Sequence, residues 1–144
     1  MRTLQLLTLC GMVLFTTAVG QESDLAKLQG TWALMSVEID GQALSMNDLK
    51  ESRLVIKGED YVFQFRDTRL AIKFKLDTSR APKAIDLLVV EGTDKGKLYK
   101  GIYTLEGDYY KICRPTQPEH ERPIKFGTQA ESGLMMNVYK RVGK

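Results

Sequence analysis

The sequence predicts an all-β fold, an antiparallel up-and-down barrel of about eight strands with a short helical turn before the first strand. Apolar and polar side chains alternate along much of the chain, most clearly over residues 61–66 and 69–76, and this pattern is typical of strands with one buried face. Turn-forming dipeptides such as Asp40-Gly41 separate these segments at short intervals. Helical signals are confined to two short stretches, which excludes a helical or α/β fold.

Residues 1–20 are predicted to be a signal peptide that is cleaved after Gly20. Arg2 gives a positive start, the following stretch is largely apolar, and Ala18 and Gly20 are small residues at the positions that a signal peptidase reads. A membrane anchor needs about 20 strongly apolar residues, and this stretch is shorter and interrupted by threonine and glycine, although retention as an anchor stays open. We therefore expect export to the periplasm or the extracellular space, with residues 21–144 forming one domain.

The charge distribution gives no sign of a nucleic-acid partner. The formal net charge is +3, and the basic residues are spread along the chain instead of forming a stripe. Lys73 and Lys75, in the most basic stretch, alternate with Ile72 and Phe74, as expected for the solvent face of a strand. We therefore expect no binding of nucleic acid.

Neither the cysteines nor the single histidine predicts a catalytic or metal site. Once Cys10 leaves with the signal peptide, Cys113 is either buried as a small apolar residue or paired with another chain, and we favour burial and a monomer. His120 has only the flanking Glu119 and Glu121 beside it, which are too few ligands for a metal cage. A Cys113–His120 pair would lack a third, orienting group. We predict no enzymatic activity, no metal and no cofactor.

The first strand carries an ambiguity that the sequence does not resolve. Ser23 can cap a helical turn over residues 24–28, Gly30 ends that turn, and a strand is predicted over residues 31–39. Both faces of this strand are apolar, since one has Trp32 and Leu34 and the other has Ala33, Met35, Val37 and Ile39. Either a bulge switches the two faces or something covers the outer one.

Seven further strands are predicted after a helical turn over residues 45–51. They cover residues 53–57, 61–66, 69–76, 84–91, 97–105, 109–114 and 133–142, with an additional short strand over 124–127. Gly101 lies inside one of them. A glycine there indicates a bend or a close approach of two backbones, as expected for a sheet that curls on itself.

The inward rows of this barrel are predicted to be rich in aromatic side chains. An eight-stranded barrel is small enough to be filled by side chains alone, or to leave space for one small ligand. The candidate pocket residues are Phe63, Phe65, Phe74, Asp86, Tyr99 and Tyr103. Asp86 is included because it is a carboxylate in an apolar strand. There it either faces water, pairs with a base or bonds to the backbone, or it orients a ligand inside the barrel.

Residues from the first and the last predicted strand together resemble the closure of lipocalin-like barrels. In that class, a tryptophan in a Gly-x-Trp motif forms the barrel floor and a basic residue of the last strand packs across it. Gly30, Trp32 and Arg141 match this pattern. An arginine over an indole is a favourable cation–π contact that would close one end of the barrel.

The chain also resembles a family of small exported domains of unknown function, known chiefly from planctomycete bacteria. The resemblance covers nearly all of residues 21–144. It rests on the motifs Asp24-Leu25-x-Lys27-Leu28-Gln29-Gly30-Thr31-Trp32, Pro82-Lys83-Ala84-Ile85-Asp86-Leu87, Gly92-x-Asp94-Lys95-Gly96-Lys97 and Gly101-Ile102-Tyr103-x-Leu105-x-Gly107-Asp108. It implies export and a lipocalin-like barrel, and it brings no activity with it.

We predict an exported, non-catalytic binding protein for a small apolar or amphipathic molecule. The barrel pattern, the inward aromatic residues and export all favour this function. The alternative is a cavity-free module that contacts another envelope protein through an open sheet edge or through the loop at residues 115–123. The second apolar face of the first strand is the observation that favours the alternative.

Overall fold

The computed structural model describes residues 22–144, so the predicted signal peptide lies outside the described residues. One helix, α1 (Asp24–Leu28), precedes nine strands. The strands are β1 (Gly30–Ile39), β2 (Gln42–Ala43), β3 (Arg53–Lys57), β4 (Asp60–Phe65), β5 (Thr68–Asp77), β6 (Ala84–Val89), β7 (Leu98–Glu106), β8 (Tyr109–Pro115) and β9 (Leu134–Gly143). In the part of the chain described, no helix is long and apolar enough to cross a membrane.

The predicted barrel is confirmed. From β3 onwards each strand pairs antiparallel with the next, β1 pairs with β3, and β9 returns to pair with β1. Eight strands therefore form a closed, lipocalin-like up-and-down barrel, and β2 is a two-residue strand attached to the far end of β1. Tight hairpins follow from local turn chemistry: Asp40 and Gly41 both have positive φ, as a type I′ turn requires.

A β-bulge at Met35 explains the two apolar faces of β1. Leu34 pairs with Tyr139 and Ser36 pairs with Val138, so Met35 is an extra residue on β1 with no partner on β9. The extra residue reverses the alternation. Val37 therefore joins Trp32 and Leu34 in the core, and Met35 is 48% exposed.

Helix α1 and Arg141 close one end of the barrel, as predicted from Trp32. The Trp32 side chain is fully buried, and its Nε1–H donates to the Leu28 carbonyl at 2.9 Å. The Arg141 guanidinium lies 4.2 Å from the centre of the indole ring. It also donates to the Gln29 carbonyl at 2.7 Å and to the Lys27 carbonyl, which satisfies the backbone at the end of α1. We call this the closed end.

Gly30 is required at the closed end for two reasons. Its φ is +122°, a conformation that side chains disfavour, and a Cβ there would collide with the Gly143 carbonyl oxygen. Gly101 fills its expected role of close approach, since a Cβ would lie 3.0 Å from the Cys113 carbonyl oxygen and 3.3 Å from Cβ of Arg114.

The segment 116–133, which we call the outer strap, lies across the outside of β6, β7 and β8. Its Gly127 carbonyl accepts from the Cys113 thiol at 3.6 Å, and Cys113 is fully buried between the barrel and the strap. The strap explains why outward residues such as Ala84 and Ile102 are also buried. The short strand predicted over 124–127 is wrong: this stretch packs as irregular chain, and Ile124 is 84% exposed.

Candidate ligand cavity in the barrel

A cavity of about 250 Å³ lies inside the barrel, away from the closed end. Strands β1, β4, β5, β6, β8 and β9 supply most of its wall, and the segment between β2 and β3 covers part of it. The lining side chains are mainly apolar: Leu34, Val37, Leu44, Leu49, Tyr61, Phe63, Leu70, Ile72, Leu87, Ile112, Arg114, Met135, Asn137 and Tyr139. Predominantly apolar walls with a few polar groups are the usual composition of a small-molecule site.

Arg114 places a positive charge at the wall of this cavity. It is inward because it follows Tyr110 and Ile112 at two-residue intervals along β8, and both of these are core residues. Its Nη1 donates to the Pro115 carbonyl at 2.9 Å, its Nη2 contacts Met135 Sδ at 3.5 Å, and the guanidinium lies 5.0 Å from the Tyr99 ring centre. It makes no ion pair with a carboxylate of residues 22–144.

Asn137 places an unpaired polar atom at the same wall. Its Nδ2 donates to the Tyr139 hydroxyl at 3.1 Å, whereas its buried Oδ1 accepts no hydrogen bond from any described residue. Rotating the amide by 180° would exchange the two atoms and still leave one unpaired. A buried amide atom without a partner is costly, so this position favours a ligand group that completes it.

Three buried tyrosines lie between the cavity and the closed end. Tyr110 stacks on Tyr139 with ring centres 5.6 Å apart, and it makes an edge contact with Trp32 at 5.8 Å. The hydroxyls of Tyr61 and Tyr110 are 3.5 Å apart. Burial raises the pKa of all three phenols, because a phenolate would have to lose its hydration. They are therefore neutral hydroxyl groups and do not act as bases near neutral pH.

The segment 44–52, which we call the mouth loop, borders the cavity at the end opposite α1. Leu44 and Leu49 line the cavity, and a hydrogen bond from the Lys50 amide to the Met46 carbonyl, 2.9 Å long, shapes the loop as a turn. Asp48 forms an ion pair with Arg66 at 3.3 Å, across to the turn between β4 and β5. Both side chains of this pair are exposed, so the contact is a weak tether.

Of the predicted pocket residues, only Phe63 lines the cavity. Phe74 is deeper in the core, where its ring makes an edge contact with Tyr61 at 5.9 Å. Phe65 is at the end of β4, with the Arg66 guanidinium 5.0 Å from its ring centre. Tyr99 packs against the core, and its ring centre lies 5.0 Å from the Arg114 guanidinium.

Tyr103 belongs to the closed end and not to the cavity wall. Its hydroxyl donates to Asp24 Oδ2 at 2.8 Å, and Lys83 Nζ donates to the same oxygen at 2.8 Å. Burial alone would raise the pKa of Asp24, but the hydrogen bonds from Lys83 and Tyr103 outweigh it, and the pKa is lowered. This cluster ties α1 to the barrel.

Asp86 lies on the outside of the barrel and pairs with a base, which is one of the alternatives that the sequence left open. Its partner is Arg122 of the outer strap, at 2.6 Å. The same guanidinium donates to the carbonyls of Ile85 at 3.0 Å and Gly101 at 2.7 Å, so Arg122 fastens the strap to β6 and β7. Asp86 therefore does not face the cavity.

His120 lies on the outer strap between its two glutamates. No group of three or more histidine, cysteine, aspartate or glutamate side chains within residues 22–144 is arranged to hold a metal ion. The charged cluster at the closed end and the Arg122 pair both have structural partners. Within the described chain, the barrel cavity is therefore the strongest candidate for a functional site.

Sequence reasoning missed Arg114 and Asn137, the two polar side chains that distinguish this cavity. A signal was present for both. Arg114 follows Tyr110 and Ile112 in phase along β8, and Asn137 lies in phase between Met135 and Tyr139 along β9. A polar residue in an apolar row of a strand is either paired in the core or functional.

Fold and site together define a closed, lipocalin-like β-barrel with a small, mainly apolar cavity at the end away from α1. In comparisons with protein-family models, with curated proteins and with solved structures, nothing matched this chain.

Proposed function

We propose that this protein is an exported, non-catalytic barrel that binds a small apolar or amphipathic molecule. The observation that carries the proposal is the cavity: an apolar interior with Arg114, Asn137 and Tyr139 as its polar groups. Apolar walls provide affinity through burial, and a few fixed polar groups orient the bound molecule.

The size of the cavity limits the ligand. Its volume, about 250 Å³, is below the roughly 300–1,000 Å³ of pockets that hold drug-sized ligands. A single short aliphatic chain or one small ring fits this space. A larger molecule would have to extend past the mouth loop into solvent.

The proposal of export rests on residues 1–20 and on the resemblance to the exported planctomycete-type domains. We propose that the chain is a member of that family. The closure formed by Gly30, Trp32 and Arg141 supports the lipocalin-like barrel that this membership implies, because the three residues have the roles of that barrel class.

The geometry of β1 and of the barrel edges bears on the alternative of a cavity-free interaction module. Val37 packs into the core because of the bulge, and β1 pairs with β9, so the eight barrel strands leave no open edge between them. Only the two residues of β2 extend the sheet. Val37 and the edges of the eight strands are therefore part of the closed barrel, whereas Met35 remains on its outside.

Binding can be tested by isothermal titration calorimetry of the purified protein with the neutral compound 1-octanol, a single short aliphatic chain. We expect a saturable heat of binding. Leu70→Trp should abolish it by filling the cavity, whereas Val55→Trp, on the outward side of β3, should not. Absence of saturable binding in the wild type, or equal binding by both variants, would contradict the proposal.

A further inference from the structure

We infer that the ligand is an aliphatic carboxylate with a hydrogen-bond donor close to its carboxyl group, as in a hydroxy acid. This inference rests on the proposed function and adds the chemical class of the ligand. Two side chains on neighbouring strands carry it: within residues 22–144, Arg114 is a cation without a carboxylate partner and Asn137 is an amide with a free acceptor.

Arg114 differs from most arginines of the described chain. Five others form ion pairs with carboxylates: Arg66, Arg69, Arg80, Arg122 and Arg141. Arg53 also lacks such a pair, but it donates to the carbonyls of Lys50 and Ser52 and does not line the cavity. Among residues 22–144, Arg114 alone presents a guanidinium without a carboxylate partner to an apolar cavity. A half-buried cation there favours an anionic ligand.

Arg114 also has donors to spare. A guanidinium has five N–H groups. One is used by the Pro115 carbonyl and one by Met135 Sδ, which is a weak acceptor. Three N–H groups therefore remain, in the planar arrangement that matches the two oxygens of a carboxylate. The Tyr99 ring at 5.0 Å supports the guanidinium on one face and limits its movement.

Asn137 specifies the second group of the ligand. In the register of β8 and β9, Arg114 is opposite Met135 and Ile112 is opposite Asn137. Arg114 and Asn137 are thus diagonal neighbours on the inner face, about 7–8 Å apart at their Cα atoms. A ligand carboxylate on Arg114 therefore brings the next few atoms of its chain past Asn137 Oδ1, which accepts a hydrogen bond from a hydroxyl there.

The rest of the cavity suits a short aliphatic chain. Beyond these two residues the wall is formed by leucine, isoleucine, valine and aromatic side chains. At about 30 Å³ for a group the size of water, a volume of about 250 Å³ holds roughly eight such groups. Octanoate, 3-hydroxyoctanoate and 1-octanol are therefore matched probes that differ only at the head of the chain.

The test is isothermal titration calorimetry of the protein with each of these three compounds near neutral pH, where the carboxylates are ionised. We expect 3-hydroxyoctanoate to bind most tightly and 1-octanol least. The wild type should bind octanoate at least roughly ten-fold more tightly than 1-octanol, because hydrogen bonds to charged groups are the strong ones. The hydroxyl should add a further several-fold preference.

Variants assign the two preferences to the two residues. Arg114→Met should remove the preference for octanoate over 1-octanol, and Arg114→Lys should keep part of it. Lys111→Met is the matched control, since it removes the same charge from the outer side of the same strand, where Lys111 contacts Phe126. Asn137→Leu should remove the preference for the hydroxylated acid alone.

The outcomes separate this inference from the proposed function. If 1-octanol binds but octanoate binds no more tightly, the cavity is real and the inference is wrong. If 3-hydroxyoctanoate binds no more tightly than octanoate, or if Asn137→Leu keeps that difference, the role of Asn137 is wrong. If none of the three compounds binds, the proposed function itself fails. The wild-type comparison decides the anion preference even if a variant does not fold.

Discussion

Replacing Arg141 by methionine tests whether the closed end determines the stability of this barrel. Methionine keeps an unbranched apolar chain over the indole of Trp32, so the variant removes mainly the guanidinium. Four interactions are lost: donation to the Gln29 carbonyl, donation to the Lys27 carbonyl, the cation–π contact at 4.2 Å and the ion pair with Asp108 at 3.6 Å. The ion pair adds little, because the Asp108 side chain is exposed. The Arg141 side chain is 13% exposed, so water replaces these contacts poorly.

The expected loss follows from these contacts. A hydrogen bond that involves a charged group contributes about 1.5–3 kcal/mol, and a cation–π contact about 0.5–2 kcal/mol. Using the lower end for the hydrogen bonds, because the end of α1 is partly wet, gives a loss of about 4 kcal/mol in the free energy of unfolding. Since domains of this size are stable by about 5–15 kcal/mol, the variant should fold but denature at much lower urea concentration.

Urea denaturation followed by tryptophan fluorescence measures this loss, because Trp32 is the only tryptophan and lies beneath the substituted side chain. Lys140→Met is the control: Lys140 is exposed and lies 5.9 Å from the Tyr109 ring centre, so its removal should change stability by less than about 0.5 kcal/mol. A loss below about 1 kcal/mol for Arg141→Met, or one equal to the control, would refute the reasoning.

Three further predictions concern stability and titration. Trp32→Ala should be more damaging than Arg141→Met and should leave the chain largely unfolded by circular dichroism. Truncating a buried aromatic side chain costs about 3–5 kcal/mol, and the variant also loses the hydrogen bond to the Leu28 carbonyl and the contact with Arg141. A stable, folded variant would contradict this. Because the pKa of Asp24 is lowered in the folded protein, the Asp24 carboxylate stabilises the fold above its ordinary pKa of 3.8, and this stabilisation is lost as the pH falls further. Asp24→Asn should therefore flatten the acid limb of a stability–pH profile. An unchanged acid limb would argue against the cluster at the closed end. Because burial raises the pKa of Tyr61, Tyr110 and Tyr139, stability should fall as the pH rises above 10. Absorbance at alkaline pH should show fewer than six tyrosinates for as long as the protein is folded. Ionisation of all six tyrosines in the folded state would disprove the burial of these three.

The strands could be predicted from sequence because alternation depends on short-range chemistry. The closure joins residues far apart in the chain, and it could be predicted because Gly30, Trp32 and Arg141 resemble the pattern of lipocalin-like barrels. Alternation over 61–66 and 69–76 gave β4 and β5 nearly to the residue, since one face of each strand is core and the other is wet. Trp32 and Arg141 are joined by a specific cation–π contact, with the guanidinium 4.2 Å from the centre of the indole ring. The bulge at Met35 could be suspected only as one of two explanations, since an inserted residue shows in the ladder of β1 with β9 and not in either strand alone.

The outer strap explains why Asp86 was ambiguous. In an antiparallel barrel, the outer face of a strand is expected to be polar. Here the strap covers part of the outside, so outward residues of β6 to β8, such as Ala84 and Cys113, are apolar as well. Alternation then no longer distinguishes inside from outside. The partner of Asp86 is Arg122, 36 residues away on a segment without regular structure, and no periodicity predicts that contact.

The same physical test that identifies Trp32 as part of the closed end makes Arg114 and Asn137 the candidate site residues. Every recognition feature of Trp32 is already used: its N–H by the Leu28 carbonyl, one ring face by Arg141 and its surroundings by Tyr110. Such a residue has nothing left for a ligand, and its substitution should change stability before binding. Arg114 and Asn137 are the reverse case, since each keeps polar atoms that no described residue satisfies, at the wall of an apolar cavity. Buried polar groups without protein partners lower stability unless something else completes them, so a bound molecule that pairs with both should raise the unfolding temperature of the wild type more than that of Arg114→Met.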